Sequence, residues 1–201
     1  MPTGVPIHEV REQLFAAAEC VLLRDGADAL TSRAVTTEAG VAKGILHRYF
    51  PDFDAFLAAF VLSHIERLDA RCDALPASAG TGEVDGNVAA VLAEVLDTTA
   101  TRIVALVCSR RRLLERLRLT TPAGIPLLAE ITKMIATYLT AERGLGRIAL
   151  AADVDALAVV LVGGAHLLTA AENSVAADHL RDLVTLTIQA VAEPRPRPAR
   201  T

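Results

Sequence analysis

Apolar residues recur every three or four positions along most of the chain, with polar residues between them. This spacing places the apolar side chains on one face of an α-helix, and that face packs against other helices. The pattern therefore predicts an all-α protein with about nine helices. The ranges that the pattern itself predicts are 7–24, 32–39, 43–49, 53–75, 87–107, 127–143, 153–171 and 178–191.

The two shortest predicted helices lie between residues 31 and 50 and are joined by a tight turn. Thr31 is suited to cap the first, because its hydroxyl can accept from free backbone N–H groups of the first turn. Gly40 is suited to end it, because glycine readily adopts the left-handed conformation. Pro51 stops the second helix. This layout is typical of a helix-turn-helix, although the pattern alone equally fits an ordinary helical hairpin.

In a helix-turn-helix, the second helix enters the DNA major groove with its N-terminal residues on base edges. Lys43 and Arg48 suit phosphates or guanine edges, and Gly44 lets the backbone approach closely. His47 and Tyr49 can donate to phosphate oxygens. The predicted DNA-binding residues are Thr31, Ser32, Arg33, Lys43, Gly44, Ile45, His47, Arg48 and Tyr49.

With its flanks, this stretch resembles the N-terminal domain of the TetR (tetracycline-repressor-like) family of transcriptional regulators. The match is dense over about the first 57 residues, and beyond them it extends only to length and helix rhythm. The residues that carry it are Gly26, Thr31, Arg33, Val35, Ala39, Gly40, Val41, Ala42, Gly44, Leu46, His47, Tyr49 and Phe50.

The resemblance implies a three-helix DNA-binding head at 1–50 and a helical ligand-binding and dimerisation body at 51–193. It further implies a homodimer that binds a near-palindromic operator in double-stranded DNA, represses transcription and is released by a small-molecule effector. The apolar composition favours a mainly apolar effector. Residues 194–201 are rich in proline and arginine, which predicts a disordered tail.

The chain departs from the family pattern at four positions. Thr36 replaces a small alanine, and Ala42 replaces a serine that would cap the second helix, a loss of about 1 kcal/mol. His47 stands in place of a tyrosine and Phe53 in place of a frequent lysine, both of them phosphate contacts in the family. The resemblance therefore implies that two phosphate contacts are altered.

The fourth predicted helix, capped by Asp52, carries a broad apolar face and links the head to the body, so we expect it to transmit conformational change. Asn87 is predicted to cap the next long helix. Several bulky or polar residues on the inner stripes could line a ligand pocket, although plain core packing or solvated positions also explain them. The candidate pocket residues are Phe60, His64, Thr99, Arg102, Leu106, Met134, Tyr138 and His166.

The last two predicted helices are rich in apolar residues, and the first of them is apolar on nearly every side, so they need burial on several faces. This favours a four-helix bundle formed across a two-fold axis, which in the resembled family is the homodimer interface. Gly163 and Gly164 cost about 1 kcal/mol each relative to alanine and would permit close helix approach. The predicted interface residues are Val159, Val162, Gly163, His166, Leu183 and Leu186.

Charge restricts any DNA footprint to a small area, because the chain has a formal net charge of −4. Residues 1–57 contain five basic and eight acidic side chains, whereas 31–50 contain three basic and one acidic. The salt dependence of DNA binding should therefore be modest. Five arginines and one glutamate at 110–118 fit a solvated helix face, or a contact with nucleic acid or an anionic ligand. The resemblance places 110–118 in a short helix near the head, which is the ninth predicted helix and implies an allosteric contact.

Other functional classes find little support in the sequence. Cys20, Cys72 and Cys108 are far apart, which indicates reduced cytoplasmic thiols rather than a disulfide framework or a zinc site. We expect no metal, no cofactor and no catalytic residues. No signal peptide is visible, and the longest uncharged run, 156–171, is shorter than the ~20 residues of a membrane span. An all-helical enzyme and a helical ligand-binding module without DNA binding remain the alternatives.

Overall fold

The computed structural model describes residues 7–72, 74–121, 124–171 and 176–192. Within these ranges the protein is all-α, as predicted, with an isolated bridge between Ile148 and Ala192. The predicted tail lies outside the described residues. The helices are α1 (Ile7–Asp25), α2 (Ser32–Glu38), α3 (Ile45–Tyr49), α4 (Phe53–Cys72), α5 (Ala74–Ala77), α6 (Val84–Val95), α7 (Thr98–Ser109), α8 (Arg111–Leu117), α9 (Pro126–Gly144), α10 (Val154–Ala170) and α11 (Ala176–Gln189).

The described residues form eleven helices rather than about nine, because two predicted helices are divided. The predicted helix 87–107 is α6 and α7, separated where Leu96 leaves the helical conformation at φ −97° and ψ 46°. The apolar stripe continues through this break, since Val95 and Leu96 are both buried. Periodicity alone therefore could not reveal it. The predicted helix 53–75 likewise ends at Cys72, and the short α5 follows.

Asn87 does not cap α6, contrary to the prediction. The helix begins at Val84, with Glu83 in the N-cap position and no side-chain capping bond. The Asn87 amide instead donates to the Thr81 carbonyl and to the Tyr138 hydroxyl, each at 2.9 Å. The side chain that the local sequence assigned to a cap is thus bound to two acceptors outside α6.

The chain divides into two compact units. Unit 1 comprises residues 1–67 and 98–129, and unit 2 comprises 68–97 and 130–201. Unit 1 therefore includes α7 and α8, which the sequence assigned to the body. Compact units and functional domains are different divisions, so the boundary at residue 50 stays a prediction.

Unit 1 is built around α1, which packs against α2 and α7, while α7 packs against α8. Four phenylalanine rings fill the space between α1 and α4. The Phe15 ring lies 5.7 to 6.3 Å from the rings of Phe50, Phe56 and Phe60, and Phe50 meets Phe56 edge-on at 5.2 Å. Offset and edge-on aromatic contacts at these distances add to the stability gained from burial alone.

In unit 2, α11 packs against both α6 and α10. The Thr185 hydroxyl donates to Asp85 at 3.0 Å. At Gly164 the α10 backbone approaches α11 so closely that an added Cβ would lie 2.6 Å from Leu183 Cδ2. Any larger residue there would displace the leucine, which explains one of the two adjacent glycines inside α10.

A buried carboxylate organises the loops of unit 2. Glu142 is fully buried, and Arg147 Nη1 lies 3.2 and 3.1 Å from its two oxygens. The Gly80 amide donates to the same carboxylate at 3.2 Å, and Arg147 also donates to the Gly82 carbonyl. A buried charge with several hydrogen-bonding partners is tolerated where an unpaired one is not, so this group has a structural explanation.

Candidate DNA interface

The first helix of the helix-turn-helix starts at the predicted cap. Thr31 is extended at φ −125° and ψ 159°, and its hydroxyl accepts from the Ala34 amide at 3.1 Å. The Thr36 hydroxyl is buried, but it donates to the carbonyls of Ser32 at 3.0 Å and Arg33 at 3.2 Å. A threonine is therefore accommodated where the family pattern has alanine, because its polar atom is satisfied within α2.

Gly40 ends α2 as predicted, with a left-handed φ of +65°. Its amide donates to the Thr37 carbonyl at 3.1 Å, and the Val41 amide donates to the Thr36 carbonyl at 3.0 Å. This pair of bonds is the Schellman motif, which satisfies the last carbonyls of a helix and favours glycine at the left-handed position. The turn geometry is therefore set by local sequence.

The second helix, α3, begins at Ile45, two residues later than predicted. No side chain caps its first turn, and the Ile45 amide donates to the Ala42 carbonyl at 2.9 Å. Ala42 has no hydroxyl to offer as a cap, and Gly44 disfavours the helical state. Residues 43 and 44 therefore belong to the turn, while the fully buried Leu46 anchors α3 to the interior.

Helix α1 holds the C-terminal end of α2 from behind. The Gln13 side chain donates to the Ala39 carbonyl at 2.8 Å. Arg24 forms salt bridges with Glu38 at 2.9 Å and with Asp25 at 3.0 Å, and these carboxylates raise the pKa of Arg24 above its ordinary value. The one acidic side chain within 31–50 is thus engaged by a cation. Neither Gln13 nor Arg24 was among the predicted site residues, because their partners are distant in sequence.

The nine predicted DNA-binding residues divide by exposure. Ser32, Ile45 and Tyr49 are half-buried, and the Ser32 hydroxyl is covered and has no hydrogen-bond partner among the described residues. A phosphate contact by Ser32 would need a change of rotamer. The exposed residues are Thr31, Arg33, Lys43, Gly44, His47 and Arg48.

Arg33, Lys43 and Arg48 are the three cations of the helix-turn-helix. Within the described ranges no carboxylate pairs with Arg33, Lys43 or Arg48. Unpaired and exposed cations on one short segment are what phosphate and base-edge contacts require. Because the neighbouring acid Glu38 is already bound to Arg24, this surface can attract an anionic partner despite the acidic chain.

Two arginines, Arg110 directly before α8 and Arg116 within it, contact the residues that flank this segment. Arg110 Nη2 donates to the Leu30 carbonyl at 2.7 Å, and its guanidinium lies 5.6 Å from the centre of the Phe53 ring. Arg116 pairs with Asp52 at 2.8 Å. Backbone and arginine bonds lower the pKa of Asp52, with the Ala55 amide as the largest cause. The arginine run was visible in the sequence, but its partners were not.

Of the candidate pocket residues in unit 1, two meet at Glu19. Arg67 Nη2 lies 2.8 Å from His64 Nε2, and because a guanidinium can only donate, this nitrogen accepts and the imidazole is neutral. Burial, followed by the charge of Arg67, lowers the pKa of His64 to about 4. Glu19 lies 3.7 Å from the same nitrogen and accepts from the Thr99 hydroxyl at 3.4 Å.

The other candidate pocket residues in unit 1 are Phe60, Leu106 and Arg102. Phe60 and Leu106 are fully buried, whereas Arg102 is half-buried. The Phe60 ring meets the His64 ring edge-on at 4.8 Å. The group is thus a mixture of core side chains and polar links among α1, α4 and α7.

The remaining candidate pocket residues lie in unit 2. Tyr138 is fully buried, and burial is the first cause that raises its pKa to about 12. Met134 is buried close by along α9. His166 is half-buried, burial lowers its pKa, and its Nδ1 is covered without a partner among the described residues. His166 is therefore a polar side chain with unused hydrogen-bonding capacity.

The predicted interface residues on α10 and α11 separate into outer and inner positions. Val159 and Leu186 are 61% and 69% exposed, and Gly163 is exposed with nothing within 4 Å of an added Cβ. Val162 is only 2% exposed and packs inside unit 2, and the half-buried Leu183 packs at Gly164. The exposed Leu167, at 72%, was not predicted but lies one helical turn after Gly163.

No group of three or more potential metal-ligating side chains occurs in the part of the chain that the structure describes. In the same part, every helix is too short or too polar to cross a membrane.

Three comparisons bear on these observations. The family model for "Bacterial regulatory proteins, tetR family" matches residues 14–60. The HTH-type transcriptional repressor KstR of Mycolicibacterium smegmatis is 34% identical over 73 residues, which are 36% of this chain and 36% of that protein. The chain thus aligns with about a third of the length of this curated relative.

Solved structures resemble the chain over most of its length. Reduced NemR of Escherichia coli has a TM-score of 0.72 at 20% sequence identity. The alignment covers 92% of this chain and 99% of the NemR chain. FadR of Bacillus subtilis, solved in complex with stearoyl-CoA, has a TM-score of 0.69 at 14% identity, covering 90% of this chain and 98% of its own. At these identities the likeness establishes the fold: a helix-turn-helix head joined to a helical body.

Proposed function

Because the chain belongs to the tetR family of bacterial regulatory proteins through its N-terminal region, we propose that it is a transcriptional repressor. It binds a near-palindromic operator in double-stranded DNA as a homodimer, and a small, mainly apolar effector releases it. The head at 1–50 binds DNA, and the body at 51–193 binds the effector and the second subunit. Its place of action is the cytoplasm.

The observation that carries DNA binding is the group of three exposed cations, Arg33, Lys43 and Arg48, which have no carboxylate partner in the described part of the chain. Their segment has a satisfied cap, a Schellman turn and a buried anchor, so it is held in one conformation before any partner arrives. Preorganised cations lose less conformational entropy on binding. The related KstR is a transcriptional repressor of the helix-turn-helix type, which supports repression here.

The homodimer proposal rests on an apolar surface of α10 and α11 that no described residue covers. Val159, Gly163 and Leu167 recur along one face of α10, and Leu186 is exposed on α11. Large exposed apolar side chains in a row favour a protein interface. Gly163 has open space at its Cβ position, which would let the helix of a second copy approach closely. Since Val162 is buried, the proposed interface omits it.

The effector proposal follows from the apolar helical body. The candidate contacts form two groups, each taken within its own unit: Phe60, His64, Thr99, Arg102 and Leu106 in unit 1, and Met134, Tyr138 and His166 in unit 2. One structural neighbour, FadR, was solved with stearoyl-CoA, a ligand with a long apolar chain. An effector that prefers a conformation unsuited to the operator would lower DNA affinity by linkage.

Selection of bound DNA from a random duplex pool, at two salt concentrations, tests the proposed function. We expect enrichment of a motif with two similar half-sites, because a symmetric dimer presents two identical heads. Binding without enrichment would reduce the interaction to nonspecific attraction. Absence of binding in both salts, after removal of bound small molecules, would instead favour the helical ligand-binding module.

A further inference from the structure

The segment from Arg110 to Arg116 contacts both ends of the helix-turn-helix, although it is some 60 to 80 residues away in sequence. We infer that Arg110 and Arg116 are positioning residues: they fix the orientation of α2 and α3 in which the head binds its operator. This inference rests on the proposed function. It assigns a role to the two arginines that differs from direct contact with DNA.

Arg110 holds the start of the helix-turn-helix. Its guanidinium donates to the carbonyl of Leu30, the residue directly before the Thr31 cap, and Leu30 is itself fully buried. The same guanidinium stacks over Phe53, the first residue of α4. A planar guanidinium can donate and stack at once, which the ammonium of lysine cannot do. One side chain thus joins the residue before α2 to the helix that follows α3.

Arg116 holds the other end through Asp52. One Asp52 oxygen accepts from the Ala55 amide at 2.6 Å and caps α4, while the other pairs with Arg116 at 2.8 Å. Asp52 lies two positions after Phe50, the C-cap residue of α3. The carboxylate therefore fixes the α3–α4 junction both to its own helix and to α8.

Helix α8 is itself packed into the core of unit 1. Leu113 and Leu117 are fully buried, and α8 packs against α7, which in turn packs against α1. The other arginines of the run have different surroundings: Arg111 pairs with Glu115 on the same helix, and Arg112 is exposed. Arg112 thus has the same charge and the same helix but none of the described contacts with the head, which makes it a matched control.

A charge-only effect and a positioning effect predict opposite changes in operator affinity for Asp52→Asn. If only charge mattered, Asp52→Asn would strengthen DNA binding by removing a negative group near the head. Asparagine retains the helix cap, so the substitution removes the arginine pair with little other change. We expect Asp52→Asn and Arg116→Ala each to weaken operator binding about threefold, as befits an exposed pair. The double variant should be no weaker than either single variant.

For Arg110→Ala we expect about tenfold weaker operator binding, because its charge-assisted bond is partly buried. The slope of log K against log salt should stay unchanged, whereas loss of one phosphate contact in each subunit of the dimer would make it shallower by about 2. Arg112→Ala should change affinity less than twofold. Stronger binding by Asp52→Asn, a shallower slope for Arg110→Ala, or equal losses for Arg110→Ala and Arg112→Ala would overturn the positioning role.

Hydrogen exchange on the free protein separates this inference from the proposed function. In Arg110→Ala, the amides of 31–50 should exchange about tenfold faster than in the wild type, while those of α10 stay unchanged. If the wild type selects no operator, the proposed function fails, and exchange still decides whether Arg110 restrains the segment. Unchanged exchange in 31–50 would overturn the restraint itself.

Discussion

The exposed face of the helix-turn-helix and the side chains that hold it from behind use the same residue types in opposite ways. On the face, Arg33, Lys43 and Arg48 are exposed and have no carboxylate partner among the described residues. Behind it, Arg24 and Arg116 are paired with Glu38 and Asp52. Charge in the sequence is therefore a poor guide to function, because tertiary pairing decides which cations remain available to a partner.

This difference also separates stability from binding. Side chains on the face contribute little to the folded state, so their removal should affect DNA affinity alone. Side chains behind the face contribute to folding, and their removal should affect both. Substitutions on and behind the face, each compared with a matched control, test this division.

The largest effect is expected for Leu46→Ala, which removes the buried anchor of α3. Truncating a fully buried leucine costs about 2–5 kcal/mol, through lost burial and the cavity left behind. The free energy of unfolding, from denaturant titration, should fall by that amount. His47→Ala, on the exposed side of the same helix, should change it by less than about 0.5 kcal/mol. Similar losses for the two variants would contradict the assignment of inner and outer faces.

Arg48→Ala should weaken operator binding by about 1–3 kcal/mol, because a free cation in the groove is lost. Its free energy of unfolding should stay within about 0.5 kcal/mol of the wild type, since Arg48 has no partner among the described residues. Titration of a labelled operator measures the affinity. Arg111→Ala, which removes an equal charge bound to Glu115, is the control. If Arg48→Ala binds as tightly as the control, Arg48 lies outside the interface.

His64 should make the free energy of unfolding depend on pH. Its folded-state pKa of about 4 lies below the ordinary 6.5, so the unfolded chain binds a proton first. The stability that the neutral His64 side chain contributes is fully present above pH 6.5, and it is lost as the pH falls toward 4. Allowing for the partly exposed ring, the loss is on the order of 1–2 kcal/mol. His64→Gln should remove this component, and His47→Gln should leave it intact; an unchanged profile for His64→Gln would show that other groups cause it.

Two glycines of the turn should respond differently to alanine. Gly40 is left-handed, so Gly40→Ala should cost about 1 kcal/mol of stability. Gly44, the N-cap residue of α3, has a right-handed φ of −73° and open space at its Cβ, so Gly44→Ala adds no backbone strain and should leave stability unchanged or raise it by up to about 1 kcal/mol. Its added methyl group should nevertheless weaken operator binding. Equal stability losses in thermal unfolding would contradict the turn geometry, and full operator affinity of Gly44→Ala would remove it from the interface.

Features set by neighbouring residues were predictable from the sequence. The Thr31 cap, the left-handed Gly40 and the Asp52 cap each depend on atoms within four residues, and all three are present. The apolar stripes likewise predicted the buried Leu46 and the all-α class. In these cases local propensity and tertiary packing favour the same conformation.

Features set by distant partners were not predictable. Asn87 is a residue type that often caps helices, but its side chain binds Tyr138, which is 51 residues away. The roles of Arg110 and Arg116 depend on Leu30 and Asp52, which no helical period connects to them. Val162 and Gly163 are adjacent in sequence, yet only the folded α10 separates the buried residue from the exposed one.

The central claim, that the unpaired cations of the head form the DNA interface and the paired ones do not, is tested most directly by the salt dependence of binding to the selected operator. Three such cations per subunit give six per dimer, so the slope of log K against log salt should be about −5, which is steeper than the modest dependence expected from the net charge alone. A slope near zero would contradict DNA binding through these cations. A slope about twice as steep would show that the arginines of α8 contact phosphates as well.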